Sequence, residues 1–174
     1  MAPVRAVPDS SLVEDALLAV LLNDPSLAAL LADGVWWDVA GEGAKQFGIV
    51  SLIEHSDVPT MGGRAWEDYL FLVKAVMLNA SSAQIRAATL RIDQLLDEQP
   101  LVVEGYGCMA MFRESRVRYT ENDAENAAIR WLHRGGRYRV QVALTDAPGV
   151  TGDRTKRGSR EALTRTSGSV VVDR

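Results

Sequence analysis

One cysteine, Cys108, stands in the whole chain, so no intrachain disulfide framework holds it together. Its apolar setting reads as a small core residue rather than a nucleophile. Histidine is almost as scarce. His55 and His133 fall on different predicted strands, neither has a cysteine beside it, and no spacing resembles a zinc site. Catalytic signatures are missing too: no Gly-x-Ser-x-Gly elbow, no P-loop, no dinucleotide fingerprint. Gly41-Glu42-Gly43 is followed by no helix start bearing Lys and Ser or Thr, so it cradles no phosphate. No apolar run approaches a membrane span. The opening Met1-Ala2-Pro3-Val4-Arg5-Ala6-Val7-Pro8 has no apolar signal core. No internal repeat recurs at a fixed period. Together with strands apolar on both faces and extended arms, these absences favour an assembly protein without cofactor, metal or membrane over an enzyme.

What is present is an ordinary globular composition, 47% apolar and 24% charged in 174 residues. The length suits one domain with tails. A short arm covers 1–9, a folded domain 10–146, and a Thr-, Ser-, Gly- and Arg-rich arm 147–174 that lacks the apolar residues to fold alone. The net charge of −4 is unevenly spread. The C-terminal arm holds six basic and three acidic side chains, so the body carries the acidic excess. An acidic body argues against tight binding of duplex DNA by the domain itself.

The domain is organised around Ala65–Gln99. Trp66 to Leu78 is rich in β-branched and aromatic residues and free of Gly and Pro, which predicts a strand. Asn79-Ala80-Ser81-Ser82 breaks it and offers helix caps. Ile85, Ala88, Ile92, Leu95 and Leu96 then recur at helical spacing, with Arg86, Thr89, Asp93 and Asp97 on the opposite side, until Pro100. The strand is apolar on both faces. Its odd side carries Tyr69, Phe71, Val73, Ala75 and Met77, which suits a core under the helix. Its even side carries Leu70, Leu72, Val76 and Leu78, where a solvated face would alternate. Either an N-terminal helix of the same chain covers that side, or a neighbouring subunit does.

Around this unit, Ser10 or Ser11 opens a first helix, with Glu14 at capping-box spacing from Ser11 and an apolar surface over much of its circumference. Asn23-Asp24-Pro25-Ser26 ends it, and Asp24 caps a short second helix that closes at Gly34. Val35-Trp36-Trp37-Asp38-Val39 is a short strand whose adjacent tryptophans face opposite ways. Phe47–His55 pairs with the long strand through a mobile connection, Ser56–Arg64. Met109–Tyr119 alternates charged and apolar residues in its second half, as an edge strand does. Ile129–Leu144 closes the sheet, and Gly135-Gly136 within it predicts a bulge or tight turn. The fold class is α+β: an antiparallel sheet of about four to six strands, helices on one face, a long β-hairpin and an extended C-terminal arm.

This order resembles the tail terminator proteins of long-tailed bacteriophages, also described as tail-completion or head-to-tail joining proteins. ALLAVLLNDPSLAALLADGVWWDVA resembles the family's opening, and HRGGRYRVQV its last strand, the similarity running over residues 11–145. The resemblance implies a virion protein forming a ring, typically a hexamer, that caps the tail tube and meets the head connector. DNA would pass its lumen without specific binding. Localisation would be the virion tail or neck, after assembly in the host cytoplasm. The expected partners are other copies of the chain, the tube protein and the connector protein. The expected contact residues are Leu70, Leu72 and Val76 on the even face, Trp36 on the short strand, Pro59, Met61 and Arg64 at the hairpin, and Arg154, Lys156, Arg157 and Arg160 in the arm. Other readings are a tail-tube subunit, another connector ring, or a small enzyme or ligand-binding domain using the Trp36/Trp37 region.

Overall fold

The computed structural model describes residues 9–61, 63–126 and 128–145; the two expected arms, apart from Asp9, lie outside them. In chain order the elements are α1 (Ser11–Leu22), α2 (Pro25–Leu30), β1 (Val35–Trp37), β2 (Gln46–Thr60), β3 (Gly63–Leu78), α3 (Ser82–Leu96), β4 (Tyr106–Asn122) and β5 (Arg130–Leu144). The strands form one sheet in the order β1-β2-β3-β5-β4. β1 runs parallel to β2, and the other neighbours pair antiparallel. This is the expected α+β class.

β3 is the centre. Its odd-numbered side chains, Tyr69, Phe71, Val73, Ala75 and Met77, are buried. They meet Val13, Leu17 and Leu21 of α1, Leu27 of α2, and Ile85, Ala88, Ile92 and Leu96 of α3 in one core. Burying each large side chain there is worth about 2 kcal/mol. α3 packs on β3 and β5, while α1 packs on β1 and the other helices.

The caps explain where the helices start and stop. Ser81 and Gln84 form a capping box: the Gln84 N–H donates to Ser81 Oγ at 3.3 Å, and the Ser81 N–H donates to Gln84 Oε1 at 2.9 Å. Asp24 accepts from the Leu27 N–H at 2.6 Å and also pairs with Arg91 of α3, which ties the two helices together. α1 lacks the expected box. Its first N–H groups turn to Asp9, whose Oδ1 accepts from the Ser11 N–H at 3.0 Å. Nor is α1 buried all round. Only Val13, Leu17 and Leu21 are, at a four-residue spacing, while Leu12 and Leu22 are exposed, because the helix sits at the rim of the sheet.

Three further expectations are corrected. α3 ends at Leu96, before the expected Gln99, because the Asp97 carboxylate is drawn to β4: its Oδ1 accepts from the Arg113 N–H at 2.8 Å, and its Oδ2 lies 3.2 Å from the Arg113 guanidinium. Thr89, placed on the outer side, is buried and donates its hydroxyl back to the Ile85 carbonyl at 2.8 Å. The connection Ser56–Arg64 is mostly strand. Pairing runs to Thr60↔Gly63, and Pro59 is accommodated at a register irregularity beside Val58.

Gly135 and Gly136 form neither a tight turn nor the bulged segment. The register shifts lie on the facing strand β4, at Cys108/Ala110 and Arg113/Ser115. The glycines are there for close approach. A Cβ at Gly135 would stand 2.1 Å from the Val73 carbonyl oxygen and 2.5 Å from Lys74 Cα. Gly135→Ala is therefore expected to push β5 off β3 and cost upwards of about 3 kcal/mol. Chemical denaturation measures this, and a loss near that of an ordinary surface change would contradict the close approach.

Candidate assembly surface

Pairing register fixes which side chains share the helix-free face. In β3 these are the even residues. Leu70 pairs between Glu54 and Arg139, Leu72 between Ser51 and Arg137, Lys74 between Ile49 and Gly135, and Val76 between Phe47 and His133. Trp36 pairs with Ile49, so it joins the same face. Among the described residues no helix covers this face: the core that holds α1, α2 and α3 is built from the odd side. The N-terminal helix is thus not its cover.

Long side chains of neighbouring strands shield part of it. Arg139 pairs with Asp68 and reaches Glu114 at 3.2 Å, and Gln141 donates to Asp68 Oδ2 at 2.8 Å. Lys74 Nζ donates to the Tyr119 hydroxyl at 2.7 Å. Tyr119 stacks on His133 with ring centroids 4.3 Å apart, and Phe47 tilts against Trp131 at 6.1 Å. Leu70 and Val76 are consequently buried within the chain, which leaves them little surface to offer a partner. Leu72 stays half-buried.

Trp36 is 40% exposed, with its indole N–H donating to the Asp33 carbonyl at 2.7 Å and its ring lying over Gly41. Trp37 turns the other way and meets Phe71 edge-on in the core at 6.2 Å, as the opposite-facing pair predicts. At the hairpin end Pro59 is exposed, Met61 fully so, and the Arg64 backbone pairs with Pro59. Arg154, Lys156, Arg157 and Arg160 lie outside the described residues. The structure therefore gathers Trp36 and Leu72 on one face and Pro59 and Met61 at one tip.

The core side of the hairpin carries a polar cluster that sequence reading passed over. Glu67 is 2% exposed. The Tyr69 hydroxyl donates to its Oε2 at 2.5 Å, the Tyr106 hydroxyl to its Oε1 at 3.3 Å, and His55 Nε2 stands 3.4 Å from Oε2. The His55 ring stacks on Tyr69 at 4.2 Å. Burial and the adjacent carboxylate hold the Tyr69 hydroxyl protonated far above the ordinary tyrosine range. His55, Asp57 and Glu67 offer ligand atoms within 4.8 Å of one another. Both Glu67 oxygens already accept hydroxyls, so the geometry is that of a satisfied buried carboxylate. Adjacent Glu67 and Asp68 face opposite ways, as the strand period requires, and form no acid pair.

Comparison with known proteins bears on the family and the fold. The family described as Tail completion protein gp17 matches residues 15–134. Among solved structures, a chain from the virion of a native gene transfer agent (GTA) particle shares the fold at 21% identity and a TM-score of 0.54, over 75% of this chain and 93% of its own. A second solved chain is 14% identical at a TM-score of 0.49, over 81% of this chain and 99% of its own. No curated protein matches.

Two outcomes test the surface. Leu72→Asp is expected to fold, losing about 1 to 2 kcal/mol, because the half-buried site opens to solvent. Global unfolding by circular dichroism would place Leu72 in a sealed core instead. His133 titrates below the ordinary histidine range, first through burial and then through Lys74, with Glu121 Oε2 3.3 Å away opposing both. The unfolded chain takes up that proton near pH 6.5, before the folded chain does. Stability is thus expected to fall as pH drops below about 6.5. His133→Phe should flatten that part of the stability profile, and an unchanged slope would contradict the assignment.

Proposed function

We propose, from the premise that this chain belongs to the Tail completion protein gp17 family and is a structural protein of a phage tail, that it forms a closed ring which caps the finished tail tube and presents a new face to the head connector. The ring is a hexamer in this reading. DNA passes through its lumen without specific binding.

The observation that carries the reading is the reach of the β2–β3 hairpin. Strands of 15 and 16 residues at ~3.3 Å per residue extend roughly 50 Å. The 15 residues of α3 at ~1.5 Å extend only about 22 Å. The hairpin therefore overruns the helix layer and ends in exposed Pro59 and Met61. An apolar side chain held at the tip of such an arm gains nothing for its own fold, and supports contact with another ring. The exposed Trp36 and half-buried Leu72 support lateral contact within the ring.

Mechanistically the action is geometric. One ring face matches the last tube layer, and the opposite face offers no site for another, so polymerisation stops. The purified full chain is expected to appear by electron microscopy as single rings at tube ends. Particles made without it are expected to show unjoined heads and tails. Met61→Asp should leave rings intact and reduce joined particles by at least about tenfold, the effect of losing ~1.4 kcal/mol of contact. Self-polymerisation into long tubes would assign the chain to the tube instead. Normal joined particles in its absence would overturn the reading.

A further inference from the structure

The two edges of the sheet carry opposite charge. From β4 to β5 the chain holds seven arginines and four acidic residues. Arg113 and Arg139 are spent on internal pairs, with Asp93, Asp97, Asp68 and Glu114. The others are differently placed. Arg116 and Arg118 of β4, Arg134 of β5 and Arg86 of α3 line a groove between helix and edge strand. A second hollow shares Arg118 and Arg134 and adds Arg130. Among the described residues, none of these five guanidinium groups has an ion-pair partner. Four like charges around the groove repel each other, and the one carboxylate in its lining, Asp93, is already held by Arg113 and the Tyr138 hydroxyl.

At the far end of the strand order, residues 9–61 hold nine acidic residues and one lysine. Asp24 is consumed by Arg91, and Asp33 by the Lys45 and Gln46 N–H groups. Asp15, Asp38, Glu42 and Glu54 remain exposed, without ion pairs among the described residues. These side chains belong to α1, β2 and the loop after β1, at the opposite edge from β4. A twofold contact of one edge with its own copy would set like charge on like. A head-to-tail contact sets the arginine groove on the acidic edge, and such contacts close into a ring when the rotation between copies closes.

We infer that the arginine groove between α3 and β4 docks the acidic α1–β2 edge of a second copy of this chain, head to tail. The inference rests on the ring reading and specifies its lateral contact. Each solvated ion pair contributes little, so the contact depends on several at once and on low ionic strength.

The test uses the full chain in native mass spectrometry and sedimentation. Arg116→Glu with Arg118→Glu reverses two charges of the groove, and Asp38→Lys with Glu42→Lys reverses two charges of the acidic edge. All four sites are exposed, so both variants are expected to fold, as circular dichroism checks. Each alone should self-associate at least about tenfold more weakly than wild type. An equimolar mixture should recover closed oligomers in which the two variants alternate. Wild-type rings with unaffected variants, or a mixture that stays dissociated, would overturn the contact while leaving the ring reading standing. A wild-type chain that is monomeric both alone and on tail tubes would overturn both. Loss of binding to a duplex DNA fragment in the arginine variant, with its oligomers unchanged, would assign the groove to phosphate backbone and overturn the contact.

Discussion

Everything in this fold depends on β3 being paired on both sides. Its ladder to β2 runs from Gln46↔Met77 to Thr60↔Gly63, and its ladder to β5 from Glu67↔Val142 to Leu78↔Trp131. With both edges satisfied, its side chains alone decide what the domain looks like. Tyr69, Phe71, Val73, Ala75 and Met77 gather the helices. The alternate residues are left to a face without a helix. The approach between β3 and β5 leaves no room for a Cβ at Gly135, so the central pairing is set by sterics as well as by hydrogen bonds.

A single-layer sheet with one open face must keep that face soluble without wasting its contact potential. Here the device is a set of long polar side chains lying over the apolar ones. Arg139, tied to Asp68 and Glu114, flanks Leu70, and Lys74 leans on Tyr119. Aliphatic stems of Arg and Lys cover apolar surface while their charged ends stay wet. Leu70 and Val76 are thereby buried without a partner, and Leu72 is the apolar gap between them. Residues already buried by their own chain have little surface left to give a neighbour, which shifts weight in any lateral contact to Leu72 and Trp36.

Much of this was legible in the sequence, and the failures have physical causes. Period-two alternation gave β3 its core face, and opposite-facing tryptophans followed from the same period. Asp24 and Ser81 were readable as caps because capping chemistry is local. The hairpin length was not readable: Pro59, Gly62 and Gly63 suggest a loop, yet a register irregularity lets Pro59 sit within a paired strand. Gly135-Gly136 signalled something special, but only the neighbouring backbone shows that it is close approach rather than a turn. The burial of Leu70 and Val76 depends on arginine, histidine and aromatic side chains from strands distant in sequence. The arginine groove was illegible for the same reason. Arg116 and Arg118 look like the solvated half of an edge strand until pairing brings Arg134, and packing brings Arg86, beside them.

The charge distribution and the open face bear on assembly in different ways. Apolar contact through Leu72 and Trp36 is non-directional and would serve many arrangements equally. Opposite charges on opposite sheet edges do discriminate, because they penalise a dimer that sets one edge against its own copy. In the proposed ring such a dimer has to be excluded, since a closed pair removes subunits from the pool. Edge polarity supplies that exclusion at the encounter stage, where long-range charge acts before short-range packing. The hairpin tip, projecting past both layers, then lies away from the lateral contact and is left for what sits above or below. In this arrangement lateral association uses the two sheet edges and axial association the β2–β3 tip, so one can be completed before the other begins.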